Sequence, residues 1–300
     1  MSKFYNITIQ HRLEIFDKLI YPVLSYGSEI WGLQSNIKIE RIHLNYCKLL
    51  LRVRRQTQNN FIYGELGRTS LSVRHSINVI RYWLKIVNTH DIKYVKLVYD
   101  SMFRELETYP NNRSWAYMVK SLLDNCGFND VWLNQGVGDV EIFLKIFRVR
   151  VTDMFIQNWK TELSESTRAK TYILISDFKF KSYLSDVNIP KYRMALSRLR
   201  VSAHKLKVET GRWQKPIAIP YEERKCTLCN VLEDEYHFVM ECTLYTDVRK
   251  AYLKPCYYVR PNMLKFIDLL TSQNSNIVKN LAMFIFKAWE IRNTYNTYYD

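Results

Sequence analysis

Glycine and proline are scarce in this sequence, eight and seven in 300 residues, roughly 5% where average usage is near 12%. That shortage of turn formers disfavours turn-dense all-β and low-complexity architectures and predicts a chain built mostly of helix. Long apolar runs are missing too. Nothing reaches the roughly 18 uninterrupted apolar residues of a membrane span, and the N-terminal MSKFYNITIQHRLEIF lacks an apolar leader with a small-residue cleavage site. The expectation is an intracellular protein of nucleus or cytoplasm, with no membrane partner. Catalytic signatures are absent as well. There is no Walker-type loop, dinucleotide fingerprint, HExxH or nucleophile elbow, and the six histidines (11, 43, 75, 90, 204, 237) are scattered. Acidic residues are few, 29 against 44 Lys plus Arg, for a formal charge of +15 and a pI near 9.4. Such an excess predicts a polyanionic partner, with RNA or DNA ahead of an anionic surface.

What is present is enough apolar residue, 47%, for a sizeable core. Residues 12–34 read as an apolar helical segment interrupted by Pro22 and closed around Gly27 and Gly32. In 37–55, Ile39, Ile42, Tyr46, Leu49 and Val53 recur at helical steps and predict the core face, while Lys38, Arg41, Lys48, Arg52 and Arg55 predict a neighbouring cationic face. The stripe Val73, Ile77, Ile80, Leu84 and Val87 predicts a helix over 71–88, with Thr69 or Ser70 as its N-cap. A further helix is expected at about 91–106. Turn signals gather at 109–114 and 134–139, and a polar stretch covers 161–170.

The segment 191–215 carries eight cations against Glu209 alone. As one helix, it would align Tyr192, Leu196, Leu199, Ala203 and Leu206 in an apolar stripe. Arg193, Arg200, His204 and Lys207 would line its flank, with Arg198 and Lys205 opposite. Arg212 and Trp213 close the segment, and Tyr192, Trp213 and Tyr221 are candidates for stacking on unpaired bases. The chain ends in two apolar-periodic stretches, 262–270 and 277–293, the second with Ile277, Leu281, Phe284, Ala288 and Ile291 at core spacing.

Of six cysteines, three fall in CTLCNVLEDEYHFVMEC (226–242). Cys226, Cys229, His237 and Cys242 form C-x2-C-x7-H-x4-C, a soft, four-ligand set suited to one structural Zn²⁺ with no open position for a substrate water. Cys256 is an alternative ligand, and Cys47 and Cys126 read as small core residues. Between Cys226 and Cys242 stand Glu233, Asp234, Glu235 and Glu241 and no Lys or Arg. A finger of that charge repels phosphate, so it reads as a clip anchoring the cationic 191–215 segment.

These phrases have a counterpart. GRWQKPIAIPYEERKCTLCNVLEDEYHFVMECTLYTDVR (211–249) resembles the zinc-binding segment at the C-terminal end of reverse transcriptases from non-LTR (LINE-like) retrotransposons. SRLRVSAHKLKVETGRW (197–213) looks like the basic stretch that leads into it. KLIYPVLSYGSEIWG (18–32), the 37–55 helix and YGELGRTSLSVRHSINVIRYWLK (63–85) are similar to the thumb and post-thumb region of the same proteins. The resemblance covers roughly 12–106 and 191–250. Together with the composition, turn signals and helical periods above, it gives an expected mainly α fold divided as a thumb-like bundle (1–108), a helical connector (109–190), a basic helix plus CCHC finger (191–250) and C-terminal helices (251–300). It implies zinc on the four ligands above and a thumb that grips a template–primer duplex. The sequence has no Asp-Asp pair of the kind that holds catalytic magnesium in the family's palm. The expectation is a nucleic-acid-binding part of a polymerase without polymerase activity, partnered by RNA, DNA or the missing N-terminal part. The alternative is a stand-alone zinc-containing protein-interaction module that binds no nucleic acid.

Overall fold

The computed structural model describes residues 7–34, 36–89, 93–109 and 113–299, with side chains as far as Tyr295. Among these residues the chain forms eighteen α-helices, a few π and 3-10 turns, and no strand beyond isolated bridges. The mainly α class expected from the composition is the one found. The chain divides into two compact units, a smaller one of residues 13–43 and 69–160 and a larger one of residues 1–12, 44–68 and 161–300. Segments 191–250 and 251–300 thus belong to the same unit.

In the smaller unit the helix Leu71–Val87 supplies the core. Val73, Ile77, Ile80 and Leu84 are buried as their spacing predicts, with Trp83, Ala116, Val119, Leu123 and Phe147 packed among them. Each such side chain contributes roughly 1.5–3 kcal/mol by leaving water. Trp83 Nε1 donates to the Tyr99 hydroxyl at 2.9 Å, and burial pushes that phenol up to about 12. The helix start differs from expectation. Ser70 makes no side-chain cap, and the Leu71 N–H instead donates to Glu40 Oε2 at 2.8 Å. The cap comes from another helix, which local sequence does not encode.

The 12–34 segment breaks into Ile9–Ile15, a π turn Phe16–Ile20, Tyr21–Leu24 and Ser28–Trp31. Pro22 is the second residue of the third piece, directly after the π turn. Gly27 takes a left-handed φ of 69°, and a Cβ on Gly32 would lie 2.2 Å from the Ser28 carbonyl oxygen and 2.9 Å from His75 Cβ. The expected helix at 91–106 is Tyr94–Thr108, and Asp91 and Ile92 lie outside the described residues. The 134–139 turn is present, with Gln135 and Gly136 at positive φ. Residues 110–112 of the 109–114 turn, and His90, lie outside the described residues. The helix Val140–Glu165 runs on into the polar 161–170 stretch.

Two sequence expectations are corrected. In the helix Ile37–Leu51 the stripe is rotated: Ile42 and Leu49 are 47% and 70% exposed, while His43, Leu44, Cys47, Lys48, Leu50 and Leu51 are buried. Polar residues reach that buried side because each finds a partner, His43 on Glu40 and Lys48 on the Arg55 carbonyl and Asn59 Oδ1. The second concerns the basic helix. It spans Pro190–Arg200 only, and only a short turn Lys207–Thr210 and a 3-10 turn Gly211–Trp213 follow. Ser202 enters the left-handed region at φ 49°, and the Ala203 N–H returns to the Arg198 carbonyl at 2.8 Å. That six-to-one closure is a Schellman stop, and it leaves Ala203 and Leu206 off the stripe of Leu196 and Leu199.

The larger unit is organised on the long helix Ser275–Tyr299, which packs along Pro190–Arg200 and Thr246–Tyr252. Leu281, Phe284 and Ala288 of the predicted stripe are buried. At its centre Arg200 lies against Glu65 of the helix Asn59–Leu66, with guanidinium–carboxylate distances of 3.0–3.3 Å, and donates to the Leu270 carbonyl at 2.6 Å.

Candidate metal centre and cationic surface

Cys226 and Cys229 stand on a tight turn closed by a bridge between Lys225 and Leu232. The Cys226 N–H donates to the Val231 carbonyl at 2.7 Å and the Asn230 N–H to the Cys226 carbonyl at 2.9 Å. Asn230 adopts φ 54°, a left-handed conformation that asparagine tolerates better than most residues. His237 and Cys242 come from a short helical segment that Asp234 starts, its Oδ1 accepting the His237 N–H at 2.8 Å. That segment widens into a π turn, His237–Glu241, and the Cys242 N–H donates to the His237 carbonyl at 2.8 Å. The five-residue step of the π hydrogen bond is the physical content of the H-x4-C spacing.

Four donor atoms, one each from Cys226, Cys229, His237 and Cys242, all lie within 4.8 Å of one another. The Cys229 and Cys242 sulfurs are 3.9 Å apart. That is close to the ~3.8 Å edge of a tetrahedron with metal–sulfur bonds of about 2.3 Å, and far beyond a disulfide. Both ring nitrogens of His237 are buried without a hydrogen-bond partner, and Glu241 stands 3.8 Å away, too far to serve. An unmet buried polar atom costs roughly 1–3 kcal/mol. A cation would remove that cost at the one nitrogen that serves as ligand, so these residues fit a bound metal ion. A hydrogen bond from Cys242 holds the Cys226 thiol well below its ordinary value, against the effect of burial. Cys256 is exposed and outside the group, while Cys47 and Cys126 are buried as expected.

Sequence reasoning missed the residues that brace this centre. Arg249, buried at 5% exposure, donates from Nε to the Val239 carbonyl at 2.8 Å and from Nη2 to the Cys242 carbonyl at 2.9 Å, placing a positive charge beside the thiols. Of the four carboxylates between Cys226 and Cys242, Glu233 and Glu235 are buried, while Glu241 stays exposed. Glu233 pairs with Arg292 and accepts the Lys207 N–H at 2.8 Å. Glu235 accepts from His204 Nε2 at 2.7 Å, Ser202 Oγ at 3.1 Å and Thr171 Oγ1 at 2.9 Å. The 226–242 segment therefore grips residues 202–208 through two buried carboxylates. Their partners lie 26 to 64 residues away, so nothing in the local pattern announces them.

The thirteen expected nucleic-acid contacts, Trp213 among them, separate into groups. Lys38 and Arg41 are exposed on the smaller unit. Arg52, Arg55 and Lys205 are exposed on the larger. Lys48, Arg200 and His204 are corrected: all three are buried, and their polar atoms are consumed by Asn59 and the Arg55 carbonyl, by Glu65, and by Glu235. A group buried in the interior with its hydrogen bonds spent there has nothing to offer a phosphate. Arg212 is held by Glu209 and Thr167, and Lys207 is half-buried. Trp213 is 71% exposed.

Arg193 and Arg198 belong to a cluster that the sequence did not reveal. Arg198 Nε donates to the Arg52 carbonyl at 3.1 Å, and Arg193 Nη1 to the Val187 carbonyl at 2.9 Å. Their anchors are neutral carbonyls, so their charges persist. Burial, then the charges of Arg52 and Arg12, lower the Arg193 value; burial, then Arg54 and Arg52, lower that of Arg198. Guanidiniums stay protonated through such shifts. The turn after Leu51, with Arg52 at φ 53°, thus brings arginines from three parts of the larger unit within electrostatic reach.

Comparison with protein-family models, with curated proteins and with solved structures finds no match to this chain.

Proposed function

We propose that this chain is a nucleic-acid-binding module of a retroelement reverse transcriptase, its thumb-like and finger regions holding template or target without copying it. The observation that carries the reading is the cluster of Arg52, Arg54, Arg193 and Arg198: Arg198 Nε donates to the Arg52 carbonyl at 3.1 Å, the Arg52 charge bears on both Arg193 and Arg198, and that of Arg54 bears on Arg198. Like charges gathered in this way raise the local potential, and a polyanion relieves it. The metal is Zn²⁺, since three thiolates and an imidazole in a closed tetrahedral set suit it best. It acts as a structural clip. Arg249 offsets the net negative charge of such a centre, and Glu233 and Glu235 carry its rigidity to the 202–208 segment.

Four phosphate contacts predict a salt slope of about −2.8 on a single strand or −3.6 on a duplex, so affinity falls roughly 50- to 150-fold between 50 and 200 mM salt. Arg193→Gln with Arg198→Gln lowers the slope by about 1.4–1.8. A titration by fluorescence anisotropy checks both, and an affinity indifferent to salt rejects the reading. A second reading, a protein-interaction module, draws support from Leu19, Val23, Tyr26 and Ile30 of the smaller unit, all more than half exposed. It predicts negligible binding to RNA and DNA at physiological salt.

A further inference from the structure

Three aromatic residues accompany the basic segment, and their surroundings differ. Tyr192 packs edge-on against Phe286 at 5.3 Å with Lys191 near its ring. Tyr221 has the Lys170 ammonium 3.5 Å from its ring centroid. Both are half-buried. Trp213 alone projects into solvent, over an open groove of about 670 Å³ whose lining includes Gln58, Asn60, Glu162, Thr167 and Arg212.

The groove is held in shape. Arg212 donates to Glu209 Oε1 at 3.1 Å, to Thr167 Oγ1 at 3.2 Å and to the Thr167 carbonyl at 2.9 Å. A side chain on Gly211 would meet Arg224 Cγ at 2.9 Å, so the turn carrying Trp213 sits tight against its support. Asn60 Nδ2 donates to Glu162 Oε2 at 2.8 Å, and Ser166 Oγ to Gln58 Oε1 at 3.2 Å. Its chemistry suits a base rather than a phosphate. Arg168 and Arg212 share the single carboxylate of Glu209, and Glu162 and Glu165 tip the balance to negative, repelling phosphate and offering acceptors to the N–H edge of a base. An exposed indole supplies a stacking face for any base.

Gln58 is four residues beyond Arg54, a span of at most about 14 Å of extended chain. One strand can therefore lay phosphates on the arginines and turn a base onto Trp213. We propose that this groove seats an unpaired base, so that the larger unit binds single strands in preference to duplexes. The inference rests on the nucleic-acid-binding reading above. In a duplex the bases are stacked and paired, and none is available to the indole.

The test uses the full chain with a labelled oligonucleotide of about twelve nucleotides, alone and annealed to its complement. Trp213→Ala is expected to weaken single-strand binding roughly 5- to 150-fold, the range for losing one stacked base, and to leave duplex binding and the salt slope unchanged. Trp213→Phe, which keeps a ring, restores most of the loss. Equal weakening of single strand and duplex, or no weakening of either, overturns the proposal while Arg198→Gln still reports phosphate contact. If the unaltered chain binds neither form, the nucleic-acid-binding reading itself has failed.

Discussion

Arg198 and Arg200 stand two residues apart in one helix and are expected to respond to mutation in opposite ways. Arg200 is 3% exposed and Glu65 is 0% exposed. Three guanidinium–carboxylate contacts and the bond to the Leu270 carbonyl satisfy the pair. Glu65→Ala removes the carboxylate and leaves an uncompensated charge in the interior, which costs about 3–5 kcal/mol. For a unit of this size each kcal/mol moves the melting temperature by roughly 2–4 °C, so a fall of about 6–20 °C is expected. The double variant Glu65→Leu with Arg200→Met removes both charges and should recover most of that loss, because desolvating an ion pair nearly cancels its attraction. The same double variant is expected to bind nucleic acid with an unchanged salt slope, whereas Arg198→Gln lowers the slope by about 0.7–0.9 at little cost in stability. Melting followed by circular dichroism and anisotropy titrations supply the two readouts. A Glu65→Ala shift of under about 2 °C, or a slope reduced in the double variant, refutes the assignment of Arg200 to the fold.

Two further outcomes are expected. The purified chain should carry about one zinc ion, measured by elemental analysis. A chelator or Cys229→Ser removes it, melts the 202–208 attachment and weakens nucleic-acid binding, while Cys256→Ser leaves the zinc content as it was; full binding by a metal-free chain would contradict the clip. In the smaller unit, burial lowers the His75 value, opposed by Glu40 and assisted by Arg74, and its Nε2 has no partner. The neutral ring is the folded form, so its contribution is full above the unfolded value of about 6.5 and is lost as the pH falls below it. Urea unfolding at pH 7 and pH 5 should show that loss, and His75→Gln should flatten it.

Much of this protein was legible in its sequence, for reasons of period and spacing. Scarce glycine and proline fixed the mainly α class, the 3.6-residue repeat located Leu71–Val87 and the final helix, and the C-x2-C-x7-H-x4-C spacing named four residues that the fold brings together. These are local regularities, so a linear reading finds them. Tertiary structure decided which cations face solvent. Arg198 and Arg200 look alike in the sequence, and only the distant Glu65 makes one interior and compensated while a neutral carbonyl leaves the charge of the other uncompensated. The Schellman stop at Ser202 and the grip of Glu235 on His204 end a helix that periodicity alone would have continued. A charge is worth what surrounds it, and its surroundings are assembled from segments that the sequence keeps far apart.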